Sequence, residues 1–221
     1  MNQIHIIILN PMQLARLTKS LMILLGIAYS GICSATTILG MDIDNVAKDA
    51  ELVFEGEVIL REARQDSRSG LINTYVTFEI RDVLKGDYSA NTIELKFAGG
   101  IFNGEIVEVS GLTIPKDGET GIYFIESTSR DLLNPILGWS QGHFLIDEGN
   151  GDRRVSTINN RPVTNVQAVS SIPPSIKKPQ ELIEGNDEVA AGIIVDSSTL
   201  TIDRALTVEE FKNSILDLLE N

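Results

Sequence analysis

Apolar and polar residues alternate over most of the stretch from Leu52 to Phe97, and the alternation predicts a run of half-buried strands. In "ELVFEGEVILR", Leu52, Phe54, Val58 and Leu60 share one parity while Glu55, Glu57 and Arg61 share the other; a period of two is what a strand needs to put one face on a core. Gly56 falls on the apolar parity, where a missing side chain lets a sheet bend or another group approach. "INTYVTFEIRDVL" repeats the pattern, with Val76, Phe78, Ile80 and Leu84 on one face and Thr77, Glu79 and Arg81 on the other. Asp82 is the charged member of the apolar parity, which marks either a bulge near the strand end or a polar group at the rim. A "KGD" turn leads into "TIELKF", with Ile93, Leu95 and Phe97 inward.

Beyond it, "AGGIFNGEIVEVSG" reads as a glycine-punctuated loop and a strand, and Lys116 to Gly118 as a tight turn. Ile122, Tyr123, Phe124 and Ile125 are apolar on both parities, so their strand is covered on both sides. "GHFLIDEGNGDRRVSTI" reads as a hairpin. Two helices frame the strands. "MDIDNVAKDA" offers Asp42 or Asp44 as a cap, with Val46 and Ala50 four residues apart. Near the C-terminus, Thr207 and Glu210 form a T-x-x-E capping box ahead of Val208, Phe211, Ile215 and Leu218 on one helix face. Five to seven short-spaced strands without long intervening helices predict a mainly β, antiparallel barrel or sandwich with a short N-terminal helix and a C-terminal helix.

The predicted organisation is a signal peptide over 1–35, a β domain over 36–158, a Pro-containing linker or irregular segment over 159–205 and an amphipathic helix over 206–221. Arg16 and Lys19 precede "SLMILLGIAYSGI", and small residues follow in "CSATT"; that order is how a secretory signal reads. Cleavage after Ala35 leaves Thr36 first, and counting from Met12 gives the signal an ordinary length. The apolar run falls short of the roughly 20 residues that span a bilayer. Export to the periplasm or outside is the expectation, with a retained membrane anchor, or a lipid anchor at Cys33, as the alternatives.

Composition sharpens this picture by exclusion. The chain of 221 residues carries a net charge of −13, and processing would remove two of its 18 basic residues. Such an acidic protein is repelled by nucleic acid and by anionic membrane surfaces. The same cut would remove the single Cys and leave His143 as the only histidine. One histidine with no Cys pair offers neither a zinc ligand set nor a Ser-His or Cys-His pairing that the sequence can identify. His143, between Gly142 and Phe144, reads as a surface or rim residue. "DEGNGD" gathers Asp147, Glu148 and Asp152, but it lacks the ligand alternation of a calcium loop and reads as a hairpin turn. Glu55, Glu57, Glu79 and Glu94 sit on outward parity. No catalytic, cofactor or metal site is expected, and an interaction face is: the outward Tyr75, Thr77, Glu79 and Arg81 of the second long strand, together with Asp82, whose parity alone does not place it there.

The stretch "ELVFEGEVILREARQDSRSGLINTYVTFEIRDVLKGDYSANTIEL" resembles the opening of netrin-like domains, the module of tissue inhibitors of metalloproteinases. With "GWSQGHFLI" after it, the layout from Asp42 to Ile158 is also similar to a group of exported bacterial proteins, some encoded with or fused to matrixin-type metalloproteases. The resemblance implies an OB-like five-stranded Greek-key barrel. It does not carry over the inhibitory mechanism, which uses an N-terminal cysteine. The expected role is a non-catalytic exported module that binds a protein or another component of the cell envelope and accompanies or modulates a secreted metalloprotease; the alternative is a small carboxylate-dependent hydrolase or carbohydrate-active envelope protein.

Overall fold

The computed structural model describes residues 37–169, 182–184, 189–196 and 202–220. The signal segment, the linker "SSIPPSIKKPQ" and the final Asn221 lie outside the described residues.

Strand β1 (Thr37–Leu39) leads to helix α1 (Ile43–Asp49), then to two long strands, β2 (Leu52–Gln65) and β3 (Ile72–Lys85). β4 (Thr92–Ala98), a small hairpin of β5 (Gly100–Phe102) and β6 (Glu105–Val107), β7 (Thr120–Ile125), β8 (His143–Asp147) and β9 (Arg154–Thr157) follow. β10 (Val163–Val166), β11 (Leu182–Glu184), β12 (Ile193–Val195) and helix α2 (Val208–Glu220) complete the order. The protein is mainly β, and its centre is one antiparallel sheet of six strands ordered β4-β3-β2-β7-β8-β9. The sheet does not close into a barrel. The segment Leu133–Leu137 nevertheless ties its two halves: Ala98 N–H donates to the Leu133 carbonyl, while Glu126 and Pro135, and Leu137 and Phe124, bond on the β7 side.

The stretch between Asn159 and Ala205, where alternation fades, contributes paired strands. β10 pairs with β12, and β11 pairs with β1. Strands of three or four residues are too short to write a readable period.

Each face of the sheet carries its own core. On one face α1 and α2 pack Ile43, Val46, Ala47, Phe211 and Ile215 against Val53, Ile122, Phe124 and Phe144. The reciprocal capping box starts α2 as expected: Thr207 N–H donates to Glu210 Oε2 over 2.9 Å, and Glu210 N–H to Thr207 Oγ1 over 3.3 Å. The opposite face is aromatic, with Phe54, Phe78, Phe97 and Tyr123 fully buried beside Val58, Val76 and Leu95. β7 therefore contributes to both cores, Ile122 and Phe124 to the helix side and Tyr123 and Ile125 to the aromatic side, as its unbroken apolar run implies.

Gly56 and Gly121 are paired across β2 and β7, and Phe54 and Tyr123 form the adjacent pair on the same face. A Cβ on Gly121 would stand 3.0 Å from the Tyr123 ring and one on Gly56 2.8 Å from the Phe54 ring. Each ring thus lies over the glycine two residues away, and the two rings meet at 5.4 Å.

Three register shifts interrupt the β2-β3 pair, and two of them correct the simple reading of the long strands. Val58 pairs with Phe78, but Leu60 pairs with Thr77 and Arg61 with Val76, so Ile59 is the extra residue. An extra residue inverts every side chain after it. Leu60, expected in the core, is 52% exposed, and Arg61, expected outside, shares the aromatic face with Val76. In β3 the extra residue is Arg81: Gly56 pairs with Ile80 and Glu55 with Asp82. Asp82 is thereby turned to the outer side, which resolves its odd parity as a bulge. Val83 then packs on the aromatic core, and Leu84, expected there, packs on the helix side.

Candidate functional site

Three groups of polar side chains surround the sheet. The first covers the helix-side end of β2 and β3. Glu55, expected to face water, is 2% exposed because α2 lies over it. Its carboxylate takes Lys212 Nζ at 2.5 Å and an ion pair from Arg153. Lys212 Nζ also reaches Asp82 at 2.9 Å. Burial alone would lower the Lys212 ammonium, but hydrogen bonds to Glu55 and Asp82, with their charges, hold it above its ordinary value. Arg81 extends the chain of charges, pairing with Glu57 at 2.6 Å and Glu148 at 2.5 Å.

This network absorbs two of the five residues of the expected interaction face. Arg81 and Asp82 are engaged within the chain. Tyr75 lies beneath the Arg64 guanidinium, 4.3 Å from its ring centroid, and Arg64 also bonds Glu62 and Glu94. Thr77 is half-buried between its cross-strand neighbours Leu60 and Glu94, and Glu79 is exposed opposite Glu57 and Thr92. Tyr75, Thr77 and Glu79 do share one face with Leu60, as adjacent odd positions of an unbroken stretch must.

The second group centres on His143. It is 2% exposed, not a rim residue, because β8 pairs it directly with Tyr123 on the aromatic face. The imidazole lies 5.0 Å from the Tyr123 ring, and Nε2 meets Glu119 Oε1 at 2.8 Å. Tyr123 Oη donates to the same carboxylate oxygen over 3.3 Å. Burial pushes the Glu119 carboxyl upward, yet the hydrogen bond and charge of His143, aided by Lys116 N–H and Tyr123, win and hold it below the usual carboxylate range. Burial, then the Glu119 charge, drives the Tyr123 phenol well upward. Glu119 comes from the turn before β7, so its meeting with His143 bridges 24 residues that carry no shared motif. A buried, oriented imidazole was not legible in one His flanked by Gly and Phe. Glu119 and Thr120 also line a polar cleft of about 590 Å³ with Asp147, Glu148, Ser156 and Asn160.

The third group surrounds Arg61. The bulge at Ile59 places it at a second cleft, of about 560 Å³, whose walls include Ile101, Ile106, Val107, Leu112 and Ile114. Ile101 and Ile106 face each other across the β5-β6 hairpin and are 65% and 63% exposed. Arg61 Nε is shut off from solvent and has no hydrogen-bond partner among the described residues. Lys116 lines the same cleft, as does Glu108.

Among the described residues no group of three or more His, Cys, Asp or Glu side chains is placed to hold a metal ion, and "DEGNGD" forms a turn in which Asp147 Oδ1 accepts from Gly149 N–H at 2.7 Å. Among the same residues no helix is long and apolar enough to cross a membrane. Comparison of the chain with protein-family models, with curated proteins and with solved structures finds no match in any of the three.

Proposed function

We propose that this protein is a non-catalytic, exported binding module that recognises a protein or another component of the cell envelope, in the periplasm or outside the cell, and accompanies or modulates a secreted metalloprotease. The observation that carries the recognition role is the Arg61 cleft: exposed Ile101 and Ile106 stand beside a cation whose Nε lacks a partner. Exposed aliphatic side chains around a polar anchor are the anatomy of a recognition surface. The netrin-like, OB-type reading is supported by the strongly bulged β2-β3 pair and by the Leu133–Leu137 segment, which bonds to β4 on one side and β7 on the other. Export rests on the basic, apolar and small-residue order of the first 35 residues.

Three of the four carboxylates that a hydrolase would draw on are engaged with cations, Glu55 with Lys212 and Arg153, Glu57 with Arg81, and Glu94 with Arg64, while Glu79 is exposed. Among the described residues His143 and Glu119 make the pair with the geometry of an oriented base, so they define the test. A panel of chromogenic ester, peptide and glycoside substrates is expected to give no turnover above buffer. Turnover that disappears in His143→Ala would overturn the proposal.

A further inference from the structure

We infer that the Arg61 cleft is a subsite for a carboxylate carried on an acyl chain, with Arg61 holding the head group and the aliphatic walls holding the chain. This rests on the reading of the protein as a binding module and names the chemistry of what it binds.

Register supplies the starting point. Without the extra residue at Ile59, Leu60 would continue the apolar set of Phe54 and Val58 and Arg61 would face water. The bulge does the reverse, at the cost of exposing a leucine and bringing a guanidinium beside Val76, which is fully buried. Bulges recur where a strand must re-aim a side chain, and a charge turned onto an apolar face calls for a partner.

The chain itself provides none for Arg61 Nε among the described residues. Other arginines differ: Arg64, Arg81, Arg130, Arg153 and Arg154 each pair with a carboxylate. No ion pair to a carboxylate is made by the Arg61 guanidinium among the described residues, in a chain of net charge −13. Lys116 adds a second cation to the cleft against the single carboxylate of Glu108. The complementary ligand is therefore an anion, and a planar carboxylate matches the guanidinium fork. The rest of the lining is mainly aliphatic, with Ser110 and Thr113 its hydroxyl members, and the cleft, at about 560 Å³, has the size of a small-molecule site, which favours an extended hydrocarbon over a polar sugar or a nucleotide.

Calorimetric titration of the purified protein with laurate, below its micellar range, tests the assignment, with dodecanol as the uncharged probe. The expected result is saturable one-to-one binding of laurate, weakened about tenfold or more by Arg61→Met, as loss of a charge-assisted hydrogen bond requires, while dodecanol affinity is unchanged by that variant. Ile101→Ser, at a position 65% exposed, is expected to weaken both probes. The assignment is overturned if laurate shows no saturable binding to the wild type, if Arg61→Met binds laurate as the wild type does, or if it weakens laurate and dodecanol equally. These outcomes are separate from substrate turnover, which is what would overturn the binding-module reading itself.

Discussion

Replacing Lys212 by Met probes the most deeply buried Lys–carboxylate cluster among the described residues. The Lys212 and Glu55 side chains are 9% and 3% exposed, and their 2.5 Å contact joins α2 to β2. Methionine keeps the aliphatic stem that packs on the sheet and removes only the ammonium. Breaking a buried ion pair by removing one partner costs about 3–5 kcal/mol. Here Arg153 still holds Glu55, so the expected loss is about 2–3 kcal/mol, or roughly 5–10 °C in melting temperature for a domain of this size. Asp82 is half exposed and rehydrates at little cost.

The double variant Glu55→Leu with Lys212→Met leaves no buried charge in this cluster, since Arg153 is partly exposed and lies 3.8 Å from Glu148. Its stability is expected within about 1 kcal/mol of the wild type. Equilibrium urea unfolding of the four proteins closes the cycle, with unchanged m-values confirming that one transition is compared. The sign with pH is fixed by the raised Lys212 value. Its contribution is fully present below the unfolded lysine value of about 10.4 and is lost as pH rises through the higher folded value, so the wild type keeps its advantage over Lys212→Met throughout the neutral range. If the double variant loses the sum of the two single losses, the residues are not coupled and the reasoning fails.

Three further outcomes follow from the packing and capping. Gly121→Ala is expected to cost about 2–3 kcal/mol, in the overpacking range, because its Cβ would stand 2.5 Å from the Phe144 carbonyl and 3.0 Å from Tyr123; a melting temperature within 1–2 °C of wild type, roughly what a negligible ΔΔG allows, would contradict the ring-over-glycine arrangement. Thr207→Ala, which opens the capping box, is expected to cost about 1 kcal/mol, measured by urea unfolding, with Thr207→Ser restoring most of it. Glu119 has its carboxyl lowered, so its stabilisation is present above the unfolded value of about 4.3 and is lost as pH falls through the lower folded value; Glu119→Gln is therefore expected to be less stable than the wild type near neutrality and to converge with it in acid, and a gap that widens in acid would show the sign to be wrong.

The alternation of "TIELKF" and the two-sided run at Ile122–Ile125 translate directly into the aromatic core and the central strand, because nothing interrupts their period. The same logic fails at Ile59 and Arg81, where one extra residue reverses the face of all that follows. Asp82 announced its bulge by standing as a charge among apolar positions, whereas the bulge at Ile59 hid between two apolar residues and left no polar misfit in the pattern. Glu55 was misread for a different reason: its parity is outward, but whether an outward face meets water depends on α2, which arrives some 150 residues later. His143 and Glu119 join across 24 residues through pairing of β7 and β8, and only the topology brings them together.

The two cores share a divider. β7 and the first half of β2 are clad on one side by helices and on the other by aromatic rings, and each is hydrogen-bonded to strands at both edges. Backbone amides at the centre of that divider, such as those of Phe54 and Tyr123, are expected to exchange with deuterium only through the opening of the whole domain. The distal half of the β2-β3 hairpin, beyond the Ile59 bulge, is clad less completely and carries the exposed Leu60 and Leu71. Exchange there is expected to report a smaller, separate opening, which would make the Ile59 bulge the seam between two levels of stability in one pair of strands.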